Sequence, residues 1–292
     1  MSEAMRAEEL RKLALAKHRA GEIEESITIY DEALALADED EARELITILK
    51  ADAMIAIERG GAEVQALPAI VMRRRKPHHT FLAAYALQYK HRIAGDPKRA
   101  IFYGSIAREV ADESGEAFWR VAALNELGVV YEIDSQFEKA IDCFETALAV
   151  IDAVSDQSAQ TFSRIALISN LGYSKIMLGA TAQGITLMES VLDRLQDRST
   201  RSDALIELCY GYIDLGDLER ARQYGEEGMD LVVEPRQIRN AHYLLGDVAY
   251  KLGDIDAAEF HFAELCRFYP NFRNLKHLLF GIDLRSMINL RL

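Results

Sequence analysis

Residues Trp119–Leu148, WRVAALNELGVVYEIDSQFEKAIDCFETAL, decide how this chain is read. Leu124, Leu127 and Tyr131 recur at helical spacing before Ser135, and Phe137 and Phe144 resume that spacing after it. Two amphipathic helices joined by a tight turn account for the break. Gly128, seven residues before Ser135, and Ala140, five after it, are small where two helices must approach closely. Such a pair carries more apolar surface than it can bury alone, so neighbours must stack on it.

The same arrangement recurs along the chain. Aligned on the turn, the segments are AGEIEESITIY from Ala20, RGGAEVQALPAI from Arg59, AGDPKRAIFYG from Ala94 and DSQFEKAIDCF from Asp134. LGATAQGITLM from Leu178, LGDLERARQYG from Leu215 and LGDIDAAEFHF from Leu252 complete the set. The turn residues Gly21, Gly60, Gly95, Ser135, Gly179, Gly216 and Gly253 are spaced by 39, 35, 40, 44, 37 and 37 residues. Glycine there tolerates the left-handed backbone that ends a helix. The small residue before the turn is Ala14, Ala53, Gly128, Gly172, Cys209 or Gly246, with Gln88 the exception. The small residue after it is Ser26, Ala100, Ala140, Gly184, Ala221 or Ala258, with Gln65 the exception.

Composition agrees with a folded helical array. Of 292 residues 50% are hydrophobic and 28% charged, too apolar for a disordered chain. Five prolines and 17 glycines are too few for a loop-rich all-β fold. No apolar run approaches the ~18–20 residues that a membrane span needs. The first residues, MSEAMRAEELRKLALAKHRAGE, lack the apolar centre of a secretory signal, so a cytoplasmic protein is expected. The net charge of −13, from 34 basic and 47 acidic residues, disfavours nucleic acid as the partner without excluding a local basic patch. Cys143, Cys209 and Cys266 form no CxxC pair and read as small core residues.

The pattern resembles the tetratricopeptide repeat (TPR) family. Trp119–Leu148 and Asn240–Pro270 (NAHYLLGDVAYKLGDIDAAEFHFAELCRFYP) carry the resemblance strongly, the first and sixth units moderately, and the unit around Gly60 is degenerate. It implies an all-α, right-handed α-solenoid of about seven antiparallel helix pairs over residues 1–270. The remainder, 271–292, contains FRNLKHLLFGIDLRSMINLRL from Phe272, with Leu275, Leu278, Leu279, Ile282 and Met287 on a broad apolar face. One or two C-terminal capping helices are expected there, covering the last repeat or forming a homodimer contact.

Similarity to this family implies that the first helix of each pair forms an inner, concave wall that takes extended or helical peptides. The register then puts Arg11, Leu15, His18, Lys50, Met54, Tyr85, Tyr89, Arg92, Asn125, Val129 and Glu132 on the wall. Ser169, Tyr173, Ile206, Tyr210, Asp214, Tyr243, Asp247 and Tyr250 continue it. Six of the twelve tyrosines fall on this set. They either contact a peptide through a rigid ring and hydroxyl or pack between neighbouring first helices. Arg11, His18, Lys50 and Arg92 precede Glu132, Asp214 and Asp247, a gradient that would orient a peptide of opposite polarity. Asn125 can both donate to and accept from an extended backbone. The Lys/Asn carboxylate clamp of the chaperone-binding members is not expected, because Leu15 and Met54 stand where its asparagines would.

A basic island, Arg73, Arg74, Arg75 and Lys76, interrupts the acidic background. It reads as a solvated inter-repeat segment or as a dock for an acidic partner. Pro77 starts the next helix or breaks the previous one. No phosphate loop, dinucleotide motif, HExxH, GxSxG or EF-hand loop occurs. His78 and His79 are adjacent and point apart on a helix, a poor metal pair. The expectation is a non-enzymatic scaffold or adaptor without cofactor or metal, its partner a protein or peptide. A receptor for a small signalling peptide is the alternative, and a nucleic-acid-binding repeat centred on 73–76 the third reading. Helix pairs begin almost at Met1, which counts against a direct transcription factor.

Overall fold

A computed structural model gives the fold and describes residues 2–269 and 288–292. The described residues form fourteen α-helices and no strand. They are α1 (Glu3–Arg19), α2 (Ile23–Leu36), α3 (Asp40–Ala56), α4 (Ala62–Arg73), α5 (Pro77–Ile93), α6 (Pro97–Ser114) and α7 (Ala117–Ile133). Then follow α8 (Phe137–Val150), α9 (Gln157–Met177), α10 (Thr181–Leu192), α11 (Arg198–Leu215), α12 (Leu218–Leu231), α13 (Pro235–Leu252) and α14 (Ile255–Phe268). These are the helices of seven pairs. They fall into two compact units, Met1–Val130 and Tyr131–Leu292.

The turns follow the sequence at six of seven places. Gly21, Gly95, Ser135, Gly179, Gly216 and Gly253 all have positive φ, between 56° and 82°. After three of the glycines an aspartate caps the next helix: Asp96 accepts from Arg99 N, Asp217 from Arg220 N and Asp254 from Ala257 N. Pro77 takes the first position of α5, where its missing N–H costs nothing. The degenerate unit departs from expectation. Its left-handed residue is Glu58 (φ 54°), not Gly60. Glu58 lies 37 residues from both Gly21 and Gly95, so the repeat is regular and the glycine pair is displaced from the turn.

Close helix approach rests on the small residues. A Cβ on Gly184 would lie 2.4 Å from the Gly172 carbonyl oxygen, so neither position admits a side chain. The exception Gln88 is fully buried, and Gly104 of the partner helix supplies the missing space: a Cβ there would meet the Gln88 amide at 2.6 Å. Gln65, the other exception, is exposed, and Val64 and Leu67 face inward instead. The first unit buries Tyr30, Ile46, Ile48, Leu67 and Leu87. The second buries Tyr173, Met188, Leu205, Leu208, Phe262 and, from the end of the sequence, Leu290. All three cysteines are buried and none is in a disulfide.

The capping helices expected over 271–292 lie largely outside the described residues. Residues 288–292 are described and are not helical. They run against α9, α11 and α13 and do not simply cover the last pair.

Candidate functional site

In the second unit the first helices α9, α11 and α13, with the last turn of α7, converge on residues 288–292. Tyr173 of α9 is the pivot. Its hydroxyl donates to Asn289 Oδ1 (3.2 Å) and accepts from the Leu290 N–H (3.1 Å). The Leu290 carbonyl accepts from Arg236 Nη1 and Asn240 Nδ2 of α13, both at 2.8 Å. Both backbone groups of Leu290 are thus satisfied by side chains of the wall, while its own side chain is 1% exposed. Asn289 Nδ2 donates to the Glu132 (2.6 Å) and Ile133 (3.3 Å) carbonyls at the end of α7 and to Ser135 Oγ (3.1 Å). Asn289 Oδ1 also accepts from the Arg291 N–H at 2.9 Å, a local turn that aims the arginine inward. Arg239 donates to the Leu292 carbonyl.

Arg291 enters a box of opposite charge. Its guanidinium lies 3.1 Å from Glu207 Oε1, 3.4 Å from Glu132 Oε2 and 3.1 Å from Asn170 Oδ1, and sits 4.8 Å over the Tyr173 ring. Glu132 is fully buried and accepts from Ser174 Oγ at 2.8 Å. Burial pushes Glu132 up to about 7 and Glu207 up to about 8, opposed in both by the Arg291 charge. One guanidinium cannot neutralise two carboxylates, so near neutral pH the site shares a proton. Burial works against the Arg291 charge, yet Glu207, Glu132 and Asp203 together hold it above the ordinary arginine range. Asp203 in turn binds Arg236 at 2.9 Å, which fixes the donor to Leu290.

The residues expected on the wall divide between roles. Tyr173 faces the segment as just described. Tyr210 and Tyr243 are 8% and 7% exposed and pack within the second unit's core, while Tyr250 is exposed. Ser169 and Ile206 are buried, Asp214 accepts from Thr181 (2.5 Å) and Asp247 from Lys251 (2.6 Å). In the first unit Tyr85 is half-buried and stacks on Phe81 at 5.8 Å. Arg92 lies over Tyr89 (4.8 Å) and binds Glu126 at 2.5 Å. Asn125 and Val129 are half-buried, and Arg11 is bound by Glu8 of its own helix (2.6 Å). Lys50 is off the wall: it is 7% exposed and bound at 2.6 Å by Asp31 of α2 and Glu63 of α4. The cause is the shifted turn, which places Asp52 beside His18 (3.9 Å) and turns Lys50 toward the second helices.

The basic island is spent on neighbours. Arg73 reaches Glu44 (3.5 Å), Arg74 pairs with Glu109 (2.8 Å) and Lys76 with Glu41 (3.0 Å), while Arg75 lines a recess with Asp40 and His79. His78 stacks on Trp119 and His79 binds Glu44 at 2.9 Å. Among the described residues no group of three or more His, Cys, Asp or Glu side chains could hold a metal ion. No described helix is long and apolar enough to cross a membrane.

Sequence reasoning missed Asn170, Asp203, Glu207, Arg236 and Asn240. Asp203 and Asn240 lie three residues before Ile206 and Tyr243, one turn earlier on the same helix face. The signal was present: α11 and α13 each have 18 residues, so the wall continues a turn beyond the register that was applied.

The comparisons fit this architecture. The tetratricopeptide repeat family matches residues 240–272, the seventh helix pair. No curated protein sequence matches the chain. Among solved structures, NprR in complex with its cognate peptide NprX superposes with a TM-score of 0.70 at 15% identity, over 96% of this chain and 84% of that one. A Rap protein complexed with competence and sporulation factor gives 0.68 at 14% identity, over 97% and 79%. A tetratricopeptide repeat protein from Parabacteroides merdae gives 0.57 at 12% identity, over 97% and 99%. At these identities the likeness is one of fold. The repeat match marks the seventh helix pair as a tetratricopeptide repeat, and the fold of the chain is similar to that of solved tetratricopeptide-repeat structures.

Proposed function

We propose that the protein is a non-enzymatic interaction module that binds a segment of a partner protein, or a small peptide, along its first helices. One observation carries this reading. The second unit's wall already holds both backbone groups of Leu290 through Tyr173, Arg236 and Asn240. Side chains that satisfy a backbone in this way can do the same for the backbone of a bound peptide. Asn240 donates to this backbone, one half of the two-way contact that the sequence suggested for Asn125.

The peptide-receptor form of this reading draws support from the similar folds of NprR, solved with its cognate peptide, and of a Rap protein, solved with competence and sporulation factor. Nucleic acid is disfavoured by the carboxylates that face Arg73, Arg74 and Lys76. A cytoplasmic setting belongs to the reading and suits three cysteines that form no disulfide. Panning a displayed random-peptide library against the intact chain tests it. Enriched peptides are expected, and their capture should fall when Asn170→Ala and Asn240→Ala are combined in a variant that keeps its helical circular dichroism. No enrichment, or enrichment indifferent to every wall substitution, would refute the reading.

A further inference from the structure

We propose that the second unit's wall is an arginine-selective peptide site whose external ligand carries an Asn-Leu-Arg core on a partner protein. Residues 288–292 are then the chain's own competitor for it. This rests on the peptide-binding reading above and adds the ligand's chemistry.

The site reads three successive side chains. Asn289 is selected as a donor, because three oxygens converge on its Nδ2: the Glu132 and Ile133 carbonyls and Ser135 Oγ. Leu290 is buried among apolar side chains of the unit. Arg291 meets two buried carboxylates, the Asn170 amide oxygen and the face of Tyr173. A planar guanidinium can stack on a ring and bond sideways to separate acceptors at once, which a lysine ammonium cannot do. Glu132 and Glu207 are 0% and 2% exposed, so a site vacated by 288–292 favours a replacement cation of the same shape.

The contacts span 116 residues between Tyr173 and Asn289 and 121 between Asn170 and Arg291. Being part of the same chain, the segment meets the wall intramolecularly, so a free peptide competes poorly until the attached copy is weakened.

The test uses the intact chain and two synthetic fluorescent pentapeptides, Ile-Asn-Leu-Arg-Leu and the same peptide with alanine for arginine. Binding is read by fluorescence polarisation to wild type, Arg291→Ala and Asn289→Asp. Arg291→Ala leaves two buried carboxylates uncompensated and could lose its fold. Asn289→Asp keeps Arg291 and loosens only the segment, by setting a carboxylate against carbonyl oxygens. At least one folded variant should bind the arginine peptide tenfold or more tighter than wild type does, and tenfold or more tighter than it binds the alanine peptide. Equal binding of both peptides, or none by either folded variant, overturns the assignment and leaves 288–292 as part of the fold. A wild-type dimer that disappears in Asn289→Asp would make a second copy the occupant and overturn the partner assignment. If the displayed library still enriches peptides without arginine, the peptide-binding reading stands and only this inference fails.

Discussion

The two units are made of the same helix pair and settle the charges of their first helices differently. In the first unit they are answered close by: Arg92 by Glu126 (2.5 Å), Arg11 by Glu8 (2.6 Å), with His18 at 3.9 Å from Asp52. In the second unit Tyr173, Glu207, Arg236 and Asn240 turn to a segment remote in sequence. The repeat fixes the scaffold and the small contacts. Whether a wall closes on itself or presents donors and acceptors to a backbone depends on a few polar residues.

Substitutions can break this comparison at several levels. The largest expected effect is at the helix contacts. Gly184→Ala drives a methyl into the Gly172 backbone and should cost about 3 kcal/mol in denaturant unfolding, because backbone cannot yield. Gly104→Ala in the first unit meets only the end of the Gln88 side chain and should cost about 1 kcal/mol. Similar losses at the two sites would contradict this account of their packing.

Arg291→Ala follows, at about 2 kcal/mol. This is less than a typical broken buried pair, because one of the two carboxylates can hold a proton. The loss should appear in the second unit's unfolding and grow as pH rises. Lys50→Met, which removes the charge between Asp31 and Glu63, should cost about 1 kcal/mol without changing peptide capture. A capture defect with unchanged stability would return Lys50 to the wall.

The comparison also predicts a pH dependence. Glu207 faces Arg291, Asp203, Glu132 and Arg236, and its folded pKa of about 8 lies above the ordinary carboxylate value. Between those values the folded state binds more protons than the unfolded one. Stability from this group is therefore present at low pH and lost as pH rises toward 8. Thermal melts of wild type should fall in midpoint from pH 5.5 to 8.5, and Glu207→Gln should flatten that fall.

Much of this was legible in the sequence because the repeat imposes steric rules. Helix pairs, six left-handed turn positions and most small contact residues follow from spacing alone. Gln88 broke the pattern because its compensation, Gly104, sits on another helix. Lys50 departs from the register counted from Gly60 because Glu58 takes the left-handed position without being glycine. The site was less legible. Tyr173 could be placed by register, but Glu207 and Asn240 acquire meaning only through a distant segment. No periodicity announces that Asn289, Leu290 and Arg291 belong beside them.

The central claim is that the second unit's wall holds the backbone of a remote chain segment through its side chains. Residue-resolved hydrogen exchange of the Leu290 amide in the intact chain tests it most directly. The account predicts protection well above that of an unstructured peptide, lost in Tyr173→Phe while α9, α11 and α13 stay protected. Exchange of Leu290 at the unstructured rate in the wild type, with those helices protected, would contradict it.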